Sequence, residues 1–265
     1  MKANWKFALL CAATIAFIGC KPQNQPVGPG GDDDPTDEFV SKISVKDKSL
    51  ADWDNLPAEY VVSAECPDDA SMLGLKSVKI YADYLYINLL VEYDPETMGD
   101  APADVQFHVY LDTDNSDETG GYSDEFTDPN ADILLEAALW DEDGGLCVYN
   151  PGVSKWWGEV GGTGWEWQDP SVEHDESDFW GCIVGQGQYP VGNSQLVDGK
   201  FEIQIMRALI PAGKEANAPW GDEFGIGFDI QQSWASVGIL PLVSPTEGNE
   251  NGYTAKLKVK IDQTK

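Results

Sequence analysis

A chain of 265 residues in which 46 Asp and Glu outnumber 16 Lys and Arg carries a formal charge of −30. That balance excludes nucleic acid and anionic headgroups as partners, since binding a polyanion needs cationic side chains on its phosphates. Neutral polysaccharides and divalent cations remain compatible with it, as does a merely solvated acidic surface.

At the N-terminus, Lys2 and Lys6 precede an apolar run, Phe7 to Ile18, that closes on Phe17-Ile18-Gly19-Cys20. The run is shorter than the ~20 residues of a permanent membrane helix. Its basic flank and the small residue before a cysteine predict a lipoprotein signal peptide over 1–19, with Cys20 as the lipidation site. An ordinary secretory signal cut elsewhere is the alternative. Cleavage would remove two lysines and take the charge from −30 to −32. Residues 20–38 hold Pro, Gly, Asn, Gln and acids with nothing apolar larger than Val27, a composition that predicts an acidic flexible tether. Within it, Asp32-Asp33-Asp34 resembles the acidic export signal that follows the lipidated cysteine in surface lipoproteins of the Bacteroidetes. The resemblance implies a chain lipid-anchored at the outer membrane of a Gram-negative bacterium, on the cell surface, touching the membrane through its lipid alone. A solvated linker with no address fits the charge equally well.

Residues 39–265 read as a single domain, with no second linker and no internal repeat. Period-two alternation dominates: Leu85, Ile87, Leu89 and Val91 fall on one strand face, and Tyr84, Tyr86, Asn88 and Glu92 on the other. The pattern returns in Phe107, Val109 and Leu111, in Ile133 and Leu135, in Phe201, Ile203 and Ile205, in Phe224 to Ile230, and in Leu257, Val259 and Ile261. Turn signals at Asp143-Gly144-Gly145, Asp198-Gly199 and Gly248-Asn249 separate the runs. An all-β fold follows, a jelly-roll-like β-sandwich of mostly antiparallel strands. Of five cysteines, Cys66, Cys147 and Cys182 stay in this domain. Export permits a Cys147 to Cys182 disulfide, and reduced buried thiols fit as well. No zinc spacing is present.

Several segments carry a family likeness. Ile43-Ser44-Val45 followed by Ala51-Asp52-Trp53-Asp54-Asn55 resembles the opening of family 9 carbohydrate-binding modules (CBM9) and their DOMON-like relatives, where a strand leads into an aspartate-tryptophan turn. Val78 to Asp83 with Tyr84 to Ile87, Leu111 to Asn115 with Thr119 to Tyr122, Ala131 to Glu136, and Phe201 to Ile205 resemble the family's later strands and its acidic loop. The likeness implies a CBM9-like sandwich that binds polysaccharide or oligosaccharide. The aromatic segment after Cys147 departs from the pattern.

In the acidic loop, Asp112, Asp114 and Ser116 stand at alternate positions after a strand, with Asp117 and Glu118 next. Such a density of hard oxygen donors before Gly120 suits Ca2+, although the spacing is not that of an EF-hand. The candidate metal residues are Asp112, Asp114, Ser116 and Asp117, and the resemblance implies a structural ion. A loop of Asx-turns that bond their own backbone is the alternative.

Five tryptophans, Trp156, Trp157, Trp165, Trp167 and Trp180, crowd one stretch rich in Gly and acids. Indole faces stack on sugar C–H faces while carboxylates hold hydroxyls, so these rings with Glu166 and Asp178 form the candidate glycan site. The same rings are also large core residues. Alternation in Trp165-Glu166-Trp167 puts both indoles on one side. Trp53 reads as core, and Trp220 and Trp234 as either site or cap. Non-catalytic glycan capture accessory to polysaccharide uptake is the leading expectation. A structural or adhesive envelope protein is the second, and a glycoside hydrolase the third. A hydrolase needs two facing carboxylates, for which Glu136 and Glu202 are the strand-borne candidates. No nucleophile elbow, phosphate loop or catalytic triad is present, and His108 and His174 read as a sheet-face and a loop histidine.

Overall fold

The alternating segments pair as strands. The computed structural model describes residues 40–264 apart from 46, 48, 95, 97–104, 123, 143–144, 169–192, 198, 208–209 and 211–219, and gives backbone alone at 105, 138–142, 145–152, 168 and 193–197. The signal, Cys20, the tether, Trp180, Asp178, His174 and Cys182 lie outside the described residues. Among those residues no helix is long and apolar enough to cross a membrane.

Among the described residues, twelve strands form two antiparallel sheets, and residues 39–265 make one compact unit. The five-stranded sheet runs β1 (Val61–Glu65), β2 (Leu75–Ala82), β3 (Tyr86–Tyr93), β9 (Lys200–Met206), β8 (Asn193–Val197). The seven-stranded sheet runs β11 (Ala235–Leu240), β10 (Glu223–Gln232), β4 (Val105–Asp112), β5 (Ile133–Glu142), β6 (Gly145–Trp156), β7 (Trp167–Gln168), with β12 (Leu257–Lys260) also on β10. The expected all-β sandwich is what forms. Its core interleaves the inward residues of both sheets: Ile80, Ile87, Leu89, Val91, Phe201, Ile203 and Ile205 from one, and Phe107, Val109, Leu111, Leu135, Phe224, Ile226 and Phe228 from the other. Burying one side chain in two along each strand is what the alternation encodes. Phe107 meets Phe201 edge-on at 5.7 Å and stacks on Phe228 at 6.1 Å, linking the sheets at the centre.

Each sheet is also covered on its outside. Over the five-stranded sheet lie residues 40–60, where Ile43, Val45 and Trp53 pack on Tyr81. Here the expected opening strand is absent: Ile43 to Val45 pairs with no sheet and instead lays two buried side chains across one, ahead of a short 3-10 turn, Ala51–Asn55. Trp53 is core, as expected, and its Nε1 donates to Glu202 Oε1 at 2.5 Å. Over part of the seven-stranded sheet lie the loops after β4, β6 and β11, whose Tyr122, Phe126 and Leu242 build a second apolar cluster with Tyr110, Leu134, Trp156 and Ile239. Glycine permits this close approach, since a Cβ on Gly227 would stand 2.4 Å from the Phe126 ring. Cys66 is a half-buried free thiol whose pKa burial pushes up.

Candidate functional site

Where those covering loops stop, the outer face of the seven-stranded sheet opens into a cleft of about 620 Å³. Strand register determines its floor. Asp229 of β10 stands opposite His108 of β4, and His108 opposite Glu136 of β5, so three titratable side chains form one row across the sheet. His108 Nε2 lies 3.3 Å from Glu136 Oε1, and its Nδ1 lies 3.7 Å from Asp229 Oδ2 and 3.3 Å from the Tyr110 hydroxyl. Gln231 donates to Asp229 Oδ2 at 2.7 Å and, with Ser236 of β11 and Ser154 of β6, lines the floor.

Tryptophans bound the cleft. Trp165 and Trp167 both line it, which is the common side that their alternation predicts. Trp165 is 52% exposed and meets Tyr122 edge-on at 5.5 Å, while Trp167 is 9% exposed and its buried Nε1 has no partner. The third ring, Trp234, is 90% exposed at the tip of the β10–β11 hairpin. Ser233 and Trp234 sit there at φ 51° and 67°, a two-residue turn that ordinarily takes Asn-Gly because a side chain is strained at positive φ. An apolar ring is thus held in water on an unfavourable backbone, with neither burial nor turn preference to explain it.

On the loop after β4, Glu125 is 6% exposed; its Oε1 accepts from the Tyr122 hydroxyl at 3.1 Å and its buried Oε2 has no partner. Desolvation, then the charge of Asp229, push its pKa up to about 8. Asp229 is raised as well, chiefly by burial, and its Oδ1 is also unpartnered. Tyr122 and Tyr110 are pushed far above the ordinary phenol value, first by burial and then by Glu125. A buried polar group without a partner costs on the order of 1–3 kcal/mol. The cleft therefore retains polar capacity that the protein itself leaves unused.

The structure redistributes the expected aromatic site. Trp156 is a correction: it is 1% exposed, meets Trp167 edge-on at 5.2 Å and donates Nε1 to Glu159 O at 3.1 Å. No ring face remains for a ligand, because Gly121 and Gly158 press on it; a Cβ on Gly121 would come within 2.2 Å of the indole. Trp157 is half-buried and Glu166 exposed, and neither lines the cleft. Trp220 is a cap, donating Nε1 to Ile210 O at 2.8 Å and packing on Phe224. Sequence reasoning left Trp234 open and missed Glu125 and the His108 row. The candidate hydrolase pair does not meet, since Glu136 faces this cleft while Glu202 sits under Trp53 outside the other sheet.

At the end of β4 the acidic loop gathers a different set from the one its spacing suggests. Carboxylate oxygens of Asp112, Asp114 and Asp132 lie within 4.8 Å of one another. Asp132 precedes β5 and is 1% exposed; Thr113 donates both its N–H and its hydroxyl to Asp132 Oδ2, at 2.9 and 3.1 Å, and Oδ1 is unpartnered. Desolvation, then Asp114, raise the Asp132 pKa to about 7. Asn130 donates to Asp112 Oδ2 at 2.8 Å while its own buried Oδ1 lacks a partner. Ser116 and Asp117, the other two expected ligands, make hydrogen bonds that build the loop. The Ser116 N–H donates to Asp112 Oδ1 at 3.3 Å and its hydroxyl accepts from the Glu118 N–H, while Asp117 accepts from Asn130 at 3.4 Å. These three carboxylates, with an unpartnered buried oxygen on Asp132 and another on the neighbouring Asn130 amide, are the residues that could hold a metal. Against that, Lys258 Nζ already takes Asp112 Oδ2 at 3.0 Å.

No protein-family model matches the chain, and neither a curated protein nor a solved structure matches it.

Proposed function

We propose that the chain is a CBM9-like glycan-binding protein of the bacterial cell envelope, held by a lipid on Cys20 and accessory to polysaccharide capture. The observation that carries the binding is the cleft edged by Trp165 and Trp234. Two large rings stay in water beside a floor of carboxylate, imidazole, amide and hydroxyl groups. Indoles stack on sugar C–H faces, and the floor supplies hydrogen bonds to hydroxyls. A metal at Asp112, Asp114 and Asp132, with Asn130 alongside, would relieve carboxylate repulsion and pin the loop after β4. That loop also carries Tyr122 and Glu125 into the cleft. Ca2+ is the ion whose chemistry suits these donors.

Titrating tryptophan fluorescence of the full chain with neutral and acidic polysaccharides tests the reading. A saturable shift that disappears in Trp165→Ala and Trp234→Ala supports it, and silence across the panel contradicts it.

One observation favours hydrolysis as a second reading. Glu125, whose pKa burial raises to about 8, shares the cleft with a second carboxyl group, Glu136, and a hydrolase needs such a pair. New reducing ends during the same incubation, abolished by Glu125→Gln, would establish turnover.

A further inference from the structure

The charge of this cleft narrows its ligand. Asp124, Glu125 and Glu136 line it, Asp229 lies beneath Gln231 and Ser236, and no Lys or Arg is among the described lining residues. Among the described lining residues His108 is the single basic side chain, already set between Glu136 and Asp229. Acidity alone would say little, because acids cover this protein. Two further observations point to a ligand. Glu125 is 6% exposed, lines the cleft and has one oxygen with no partner, and the exposed rings of Trp165 and Trp234 offer π faces at the same opening.

A carboxylate accepts hydrogen bonds and cannot donate when ionised, so its natural complement is a group rich in donors. An ammonium carries three donors and a charge, and indole faces attract cations that approach within about 6 Å. Hydroxyls would also bind, but they leave the charge of the acidic wall uncompensated. Uronate and sulfate groups would meet the same charge sign at close range.

We infer that the cleft selects glycans bearing free amino groups, hexosamine units without their acetyl caps, and rejects acidic ones. The inference rests on the glycan reading and supplies its ligand class. The ammonium sits against Glu125 with the sugar ring on Trp165 or Trp234. Free Glu125 is held protonated by burial and by the charge of Asp229, with Asp124 adding to the same side, while the hydrogen bond from the Tyr122 hydroxyl favours the carboxylate and His108 favours an ionised Asp229. A bound cation favours the carboxylate, so binding near neutral pH expels a proton.

Calorimetric titration of the full chain with a glucosamine trimer, its N-acetylated counterpart and spermidine separates the outcomes. It is run at pH 7 in two buffers of different ionisation enthalpy. The expected result is the glucosamine trimer bound about tenfold or more tighter than the acetylated one, weakening as salt screens the charge. Protons appear in the buffer for that trimer alone. Glu125→Gln should remove both the preference and the proton release. Glu136→Gln, at a less buried acid, should reduce the preference in part. Equal or tighter binding of the acetylated trimer overturns the inference and leaves the glycan reading standing. Spermidine binding as tightly as the glucosamine trimer shows a cation site without sugar specificity and also overturns it. No binding of either trimer, with none by any polysaccharide, removes the glycan reading itself.

Discussion

The two sheets treat the polar residues on their outer faces in opposite ways. Outside the five-stranded sheet, the described polar groups of the central patch find partners, with Arg207 Nε at β9's end the buried exception. Trp53 donates to Glu202, Gln204 to Asn88 Oδ1 and Ile43 O at 2.8 and 3.0 Å, and Asn88 to Tyr81 O at 3.0 Å. Asp83 accepts from Ser41, Leu85 and Tyr86. Outside the seven-stranded sheet, Glu125, Asp229 and Trp167 each keep a buried atom without a partner. One face is sealed by residues 40–60, and the other is left open at a measurable cost. Buried polar groups that are paired specify a fold, and those that are unpaired beside a cleft mark where something else completes the set.

Breaking the sealed face should have the largest effect. Trp53→Ala removes a 5% exposed indole and its hydrogen bond to Glu202, so urea unfolding should show a loss of about 3–5 kcal/mol. A loss under about 1 kcal/mol would mean that residues 40–60 do not seal the sheet.

The open face should reveal itself through pH. Glu125 binds its proton up to about 8 in the folded chain against 4.5 unfolded, so the folded state holds more protons between those values. Stability conferred on the protonated form is present at pH 5 and falls as pH rises to 8, by on the order of 3–4 kcal/mol from this group at ~1.4 kcal/mol per pH unit. Asp132 and Asp229 act in the same direction. Glu125→Gln should flatten the profile, and an unchanged slope would show that Glu125 is not the group that titrates.

Calcium should sharpen the contrast between the two ends of the open face. The melting temperature should rise when Ca2+ is added and fall back in chelator. Asp132→Asn should abolish the rise, yet be no less stable than the parent in chelator, because an amide oxygen still accepts from Thr113 while a repulsive charge is gone. An Asp132→Asn protein that still gains from calcium would remove the metal from this loop.

Trp234→Ala should have the smallest effect on folding, within about 0.5 kcal/mol, since the ring is 90% exposed. Its cost should fall on ligand binding instead.

What the sequence revealed depended on distance along the chain. Strand faces were legible in Leu85 to Val91 and in Phe224 to Ile230 because alternation is a local property. The shared side of Trp165 and Trp167 was legible for the same reason, as was the nearness of Asp112 to Asp114. Asp132 was not, because it reaches that pair only through the pairing of β4 with β5. The Asp229, His108 and Glu136 row requires three strands from distant parts of the chain in one register. Trp156 misled through composition: it shares its neighbours' chemistry, but Gly121 and Gly158 close over it. Ile43 to Val45 misled through pattern, since alternating apolar residues also suit a strap that lies across a sheet without pairing.

Trp234 tests the central claim most directly. Binding of the same glycans by the parent chain and by Trp234→Ala should be compared by fluorescence titration, with urea unfolding of both as the control. Saturable binding by the parent, at least about tenfold weaker in the variant at equal stability, is the expected result. Equal binding by both proteins, or none by either, would contradict a glycan site between Trp165 and Trp234.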